Sequence, residues 1–262
     1  MKKIVYLSLL AVILGSCTEI APVVPALGDR KVLVEEFTGV RCVNCPAGAS
    51  ELENLRGIYG ERLVVVSIHA GDFSPPFTDS RFDFRTAEGD ALEKRLGAPL
   101  GYPTAVINRK KFTGQTGLQV GRSQWAGLIA AESNVASPVN FSFSKKYNAA
   151  TRQVEMTIKA VENTKDALKN VAFSAFVTED NIQDTQETPS GKQANYRHRH
   201  IFRAFAADEI AINPSGLSEA TYSFSATLKT NWVVENCALV LVLSQKNGAA
   251  KDVLQVAEVK IN

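Results

Sequence analysis

The run Val32-Leu33-Val34-Glu35-Glu36-Phe37-Thr38-Gly39-Val40-Arg41-Cys42-Val43-Asn44-Cys45-Pro46 constrains this chain more than any other stretch. An apolar strand pattern delivers two cysteines, Cys42 and Cys45, to the first turn of a helical segment. Cysteines at i and i+3 in that setting can close a small disulfide, and the first thiol faces backbone N–H groups without an intrahelical partner, which stabilise its thiolate. Only two residues lie between them, so a bridge removes little chain entropy and is a poor staple for a chain of 262 residues. Reactivity explains the pair better. Cys42, beside cationic Arg41, is the candidate attacking thiolate, and Cys45 is the resolving thiol that displaces the product from a mixed disulfide.

The N-terminus decides the compartment. Met1-Lys2-Lys3 is a short cationic start, and Ile4 to Leu14 is an apolar run too short to span a bilayer, which together read as a secretory signal. The run ends in Leu14-Gly15-Ser16-Cys17, which resembles the bacterial lipobox, where cleavage before the cysteine leaves a lipid on Cys17. Thr18 stands where an inner-membrane retention signal carries Asp, which favours the outer membrane, with either a periplasmic or a surface-facing position. Residues 1–17 are thus the signal and 18–30, with Pro22 and Pro25, a tether. Disulfides persist outside the cytoplasm, so a Cys pair there can be structural as well as catalytic, and spacing has to choose. The formal net charge is +2, the lysines and arginines are scattered among carboxylates, and no phosphate-cradling glycine loop occurs, so nucleic acid is not an expected partner.

The chain is 45% hydrophobic, enough for two ordinary domains. Val32–Phe37 reads as a buried strand, Pro46–Tyr59 as a helix and Arg62–His69 as a second β-branched strand, a βαβ unit with a parallel pair. Residues 71–99 read as an insertion with a helix from Phe82 to Leu96. Gly101-Tyr102-Pro103-Thr104 then leads into a strand ending at Asn108, a setting for a cis peptide bond before Pro103. A hairpin over Lys110–Val120 and a helix over Ser123–Ser133 complete a thioredoxin-like order over residues 31–136. From Ser137 the texture becomes alternating. Strands are expected at Val139–Tyr147, Gln153–Ala160, Val171–Thr178, Tyr196–Phe205, Thr221–Leu228, Ala238–Gln245 and Leu254–Ile261. The expected fold class is therefore an α/β thioredoxin-like domain followed, over residues 137–262, by an all-β immunoglobulin-like sandwich, although no Cys pair bridges its sheets.

Taken together, the lipobox, Val-Leu-Val-Glu-Glu-Phe-Thr-Gly, Cys42-Val43-Asn44-Cys45-Pro46, Asp83-Phe84-Arg85-Thr86, Gly101-Tyr102-Pro103-Thr104 and the terminal β region resemble the outer membrane protein 28-related family. The resemblance implies an exported lipoprotein of Gram-negative bacteria with a thioredoxin-like first domain, and it leaves the activity open.

Within that frame each candidate residue has a chemical role. Glu36 lies six residues before Cys42, where thioredoxin-like oxidoreductases carry a buried carboxylate that exchanges protons with the second thiol. Glu35 points to the opposite face by strand alternation and reads as a solvated edge residue. Pro103 matches the loop that shapes the cleft beside the Cys pair, with Tyr102 and Thr104 lining the substrate groove. His69 ends the second strand on the edge that holds Cys42 and is a possible acid, base or metal ligand, and Asp72 shares that edge. His198 and His200 alternate with Arg197 and Arg199, so both imidazoles share one face of a strand; without a nearby third ligand they read as a solvated or interface face. Cys237 reads as a buried free thiol.

The leading expectation is a thiol-disulfide oxidoreductase acting on exported protein thiols or disulfides, held to the membrane through Cys17, with no bound cofactor or metal. The alternative is a binding or adhesion lipoprotein that keeps the fold as a scaffold around an idle disulfide. Metal handling through Cys42, Cys45 and His69 lacks a fourth ligand.

Overall fold

The computed structural model describes residues 30–212, 218–246 and 251–262, so Cys17 and the signal lie outside the described residues. Strand β1 (Val32–Thr38) is buried along its whole length because both faces of the sheet are covered, so it shows no apolar-polar alternation, and its two glutamates, Glu35 and Glu36, are enclosed with the rest. It pairs in parallel with β2 (Leu63–His69) and antiparallel with β3 (Thr104–Ile107), which pairs in turn with β4 (Gln119–Gly121). Helices α1 (Cys45–Tyr59) and α3 (Arg122–Ser133) bury Leu52, Leu55, Trp125 and Ile129 against one face of these strands. Helix α2 (Ala87–Leu96) buries Leu92 and Leu96 against Leu33, Phe37, Val66 and Ile68 on the other. It starts later than the expected Phe82 because the Thr86 hydroxyl caps it, accepting from Gly89 N at 2.9 Å, while Phe84 turns inward.

After residue 137 the long elements are all strands. Three of them, β5 (Val139–Asn148), β6 (Gln153–Glu162) and β11 (Glu219–Thr227), form a sheet in the order β11-β6-β5. Four others, β7 (Val171–Glu179), β10 (Ile201–Ile212), β12 (Cys237–Gln245) and β13 (Val253–Lys260), join the first half in one eight-stranded sheet, β13-β12-β7-β10-β2-β1-β3-β4. The three-stranded sheet covers this extension, with Val154, Met156 and Ile158 packed on Phe173, Leu239 and Leu241. The architecture is mixed α/β with mostly β content and several sheets.

Two local expectations fail for identifiable reasons. The expected strand Tyr196–Phe205 is broken at His200, whose φ of 54° is left-handed, so β9 (Gly191–His198) and β10 are separate. The partner of β9, β8 (Ile182–Thr188), is largely polar and carries no hydrophobic alternation to announce it. The hairpin expected over Lys110–Val120 contributes only β4, because Asn108 and Arg109, at φ 48° and 50°, turn the chain away after β3.

Glu35 is not solvated. It is fully buried, and the Arg109 guanidinium donates to its carboxylate from Nε at 2.9 Å and from Nη2 at 2.7 Å. A central strand has no solvent face, so a carboxylate there needs a dedicated cation.

Candidate functional site

Strands β1 and β2 run in parallel with Glu36 opposite Ser67 and Thr38 opposite His69, so their C-terminal ends open on one edge. The chain leaves β1 through Gly39 and Val40 and reaches Cys42, which lies in the turn before the helix rather than in its first turn as expected, and Cys45, the first residue of α1; the two form a disulfide with Cα atoms 5.3 Å apart. Pro46 sits in the first turn, where its missing N–H costs nothing, and Asn44 supplies no side-chain cap. The Tyr102–Pro103 peptide is cis. Pro103 lies against α1 at Gly48: a Cβ there would stand 2.7 Å from Pro103 Cγ and 3.1 Å from Glu36 Oε1. Gly48 thus lets the helix, the proline loop and the buried carboxyl meet.

Glu36 is almost fully enclosed. Its Oε2 accepts from the Ser67 hydroxyl at 2.9 Å, and its Oε1 has no hydrogen-bond partner. Burial pushes its pKa up to about 7 against the opposing Ser67 hydrogen bond. Glu36 and Cys45 line one cavity of about 510 Å³, together with Ser67, His69 and His198. His69 packs against Phe84 at 5.0 Å and His198 at 5.6 Å between ring centroids. Burial first, then the proximity of His198 and Arg203, holds His69 well below the usual histidine range, with Asp83 opposing. Burial likewise lowers His198 to about 4, against Asp184 and the backbone of Asp184 and Thr185.

Both cysteines are buried, Cys42 with 3% of its surface exposed. Two segments enclose the turn that carries them. The β8–β9 hairpin reaches over it from the second half, with the Gln186 amide donating to the carbonyls of Gly39 at 3.2 Å and Cys42 at 3.1 Å, and Glu187 N donating to Val40 O at 2.7 Å. On the other flank Arg41 N donates to Phe73 O at 2.9 Å. The Arg41 guanidinium, expected to favour the Cys42 thiolate, donates to Pro75 O at 2.7 Å and Pro76 O at 2.6 Å and lies over the Phe77 ring. It clamps a loop.

Other expected residues are placed as follows. Tyr102 is half-buried beside Phe73 and donates its hydroxyl to Glu93 on α2, while the Thr104 hydroxyl is turned inward onto Val120 O at 3.1 Å. His198 and His200 do not share a strand face: His198 joins His69 in the cavity wall, and His200, in the turn after β9, pairs with Glu53 at 2.9 Å. Cys237 is a buried free thiol whose S–H donates to Val233 O at 3.3 Å, and burial pushes its pKa up to about 12. Among the described residues no group of three or more His, Cys, Asp or Glu side chains is arranged to hold a metal ion. Sequence reasoning missed Ser67, whose signal was a lone hydroxyl in a run of valines opposite Glu36, and Gln186, which carried none.

The family model for outer membrane protein Omp28 matches residues 90–262. The chain belongs to the Omp28 family. It is accordingly an exported outer-membrane protein, in agreement with the lipid attachment read at Cys17. The Omp28 match begins after the Cys pair and so carries the location without the chemistry. No curated protein matches the chain. Among solved structures, HBP35 of Porphyromonas gingivalis is 18% identical at a TM-score of 0.71, covering 89% of this chain and 76% of its own. A structural-genomics protein of Agrobacterium tumefaciens is 15% identical at 0.56, covering 89% and 95%. A domain of the outer membrane lipoprotein Omp28 from P. gingivalis aligns over 48% of this chain and 89% of its own, at 16% identity and a TM-score of 0.32.

Proposed function

We propose that this Omp28-family chain is a lipid-anchored thiol-disulfide oxidoreductase of the cell envelope that acts on thiols or disulfides of exported proteins. In this reading residues 31–136 are a thioredoxin-like unit and the strands of 137–262 an immunoglobulin-like elaboration that helps to seat the partner. The strand order β2-β1-β3-β4, the Cys pair at the start of α1 and the cis bond before Pro103 support the first unit.

The observation that carries the reading is Glu36. A carboxyl with a pKa near 7, buried in the same cavity wall as Cys45, costs stability in its ionised form, and a purely structural bridge has no use for it. In a reducing turnover the Cys42 thiolate attacks a partner disulfide, forming a mixed disulfide and expelling one partner thiolate. Cys45 then gives its proton to the Glu36 carboxylate and attacks Cys42 Sγ. The bond from Cys42 to the partner breaks, the electron pair leaves with the second partner sulfur, and the Cys42–Cys45 bond forms.

The test is the reduction potential of the full chain in detergent, with the pH profile of Cys42 alkylation, compared with Cys42→Ala and Glu36→Gln. A potential between roughly −270 and −120 mV with Cys42 reacting below its ordinary pKa of about 8.5 supports redox catalysis. A potential below about −300 mV with an inert Cys42 refutes it. The burial of Cys42 favours a second reading in that event, a surface or periplasmic binding or adhesion lipoprotein built on the same scaffold.

A further inference from the structure

The cavity behind Cys45 runs between α1 and β9, from the buried Glu36 to the exposed side chains of Ser50, Gln193 and Arg197. Three polar atoms of residues in its wall have no hydrogen-bond partner: Glu36 Oε1, His69 Nδ1 and His198 Nε2. Their side chains belong to residues only 1%, 4% and 4% exposed. A buried polar atom left unpaired costs about 1–3 kcal/mol, and the cavity is much larger than one water's share of roughly 30 Å³, so it has room for ordered water among these side chains. Phe84 packs on both imidazoles, at 5.0 Å from His69 and 4.7 Å from His198, and the exposed lining residues of the cavity include Gln193 and Arg197 of β9.

We propose that this cavity is a hydrated proton passage in which His69 and His198 relay protons between the Glu36 carboxyl and the protein surface at β9. The inference rests on the redox reading and adds the fate of the proton that Cys45 surrenders. Glu36 can take the Cys45 proton only in its ionised form, so it must lose its own proton through the passage before the second partner thiolate can leave, and lose the one it gains before the next turnover. A neutral imidazole accepts a proton at one nitrogen and releases one from the other, which suits it to a chain of waters. Both histidines are held neutral at pH 7. The charged groups that face them, Arg203, Asp83 and Asp184, are close enough to act on them electrostatically. The second half of the chain thereby supplies a residue, His198, to the chemistry of the first.

The test follows the reduced full-length protein in detergent with an aryl disulfide that releases one coloured thiolate when Cys42 attacks and a second when Cys45 resolves the adduct. His198→Phe keeps the ring packing and removes both nitrogens, and should slow the second release relative to the first by about tenfold. His198→Ala should show the same slowing, relieved by added imidazole. A second release at the unmodified rate in both variants overturns the passage. Slowing that imidazole does not relieve also overturns it, because lost packing would then account for the effect. Absence of any second release from the unmodified protein overturns the redox reading, and the passage with it.

Discussion

Replacing Glu36 with Gln isolates the energetic signature of the buried carboxyl from everything else in the site. The amide is nearly isosteric, its carbonyl can take the Ser67 hydroxyl at the position of Oε2, and it cannot ionise. The carboxyl titrates at about 7 in the fold against an ordinary value of 4.5, so folding favours its protonated form. That contribution is fully present below pH 4.5 and is lost as pH rises through 7. Two and a half decades of proton affinity correspond to roughly 3 kcal/mol, the penalty that ionised Glu36 imposes above pH 7. Denaturant unfolding of the oxidised protein at pH 5, 6, 7 and 8 reads this directly. Glu36→Gln should match the unmodified protein within about 1 kcal/mol at pH 5 and exceed it by roughly 3 kcal/mol at pH 8. Equal gaps at both ends of the range would refute the argument, because they would mean that Glu36 is solvated well enough to ionise without cost.

Other perturbations address the scaffold. Glu35→Leu or Arg109→Met alone strands a fully buried charge and should cost about 3–5 kcal/mol in the same unfolding assay, whereas the double variant should cost much less. Gln186→Ala removes the amide that binds Gly39 O and Cys42 O, so hydrogen exchange in the β8–β9 hairpin should accelerate by about tenfold while β7 and β12 keep their protection. Gly39→Ala places a Cβ 2.3 Å from Phe73 O, which must displace the loop that Arg41 clamps. After reduction, alkylation of Cys42 in that variant should be faster than in the unmodified chain.

The parts of this fold that were legible in the sequence are those written in runs of one residue class. The strand pattern Val32–Phe37, the helix after Pro46 and the valines of β2 specify a parallel unit without help from distant residues, and β5, β6, β7, β12 and β13 fall within a residue or two of the bounds expected for them. Pro103 after an aromatic gave the cis bond. The misses share another cause, since each depends on what lies across a tertiary contact. Glu35 looked like an edge residue because the sequence does not reveal that Arg109, 74 positions away, comes back beneath it. Gln186 and the polar β8 are ordered by the backbone of the Cys42 turn, a partner invisible to local pattern. His198 and His200 were read as neighbours on one strand face, and the left-handed backbone at His200 ends that strand, so that His200 turns to Glu53 while His198 packs on His69.

That separation also explains how the second half becomes part of the site. With His200 turned, its carbonyl accepts from Ser67 N at 2.8 Å, and Ile201 begins the parallel pairing of β10 with β2. Without β10 the edge of β2 would present unpaired backbone to solvent. The same contact fixes Ser67, whose hydroxyl holds Glu36, so the register of a strand more than 130 residues downstream sets the position of the carboxyl behind Cys45. A site assembled in this way ties its chemistry to the integrity of the whole eight-stranded sheet. Loosening β10 should therefore be felt at Cys45 before it is felt at Cys42, because Cys45 lines the cavity that Ser67, His198 and His200 share.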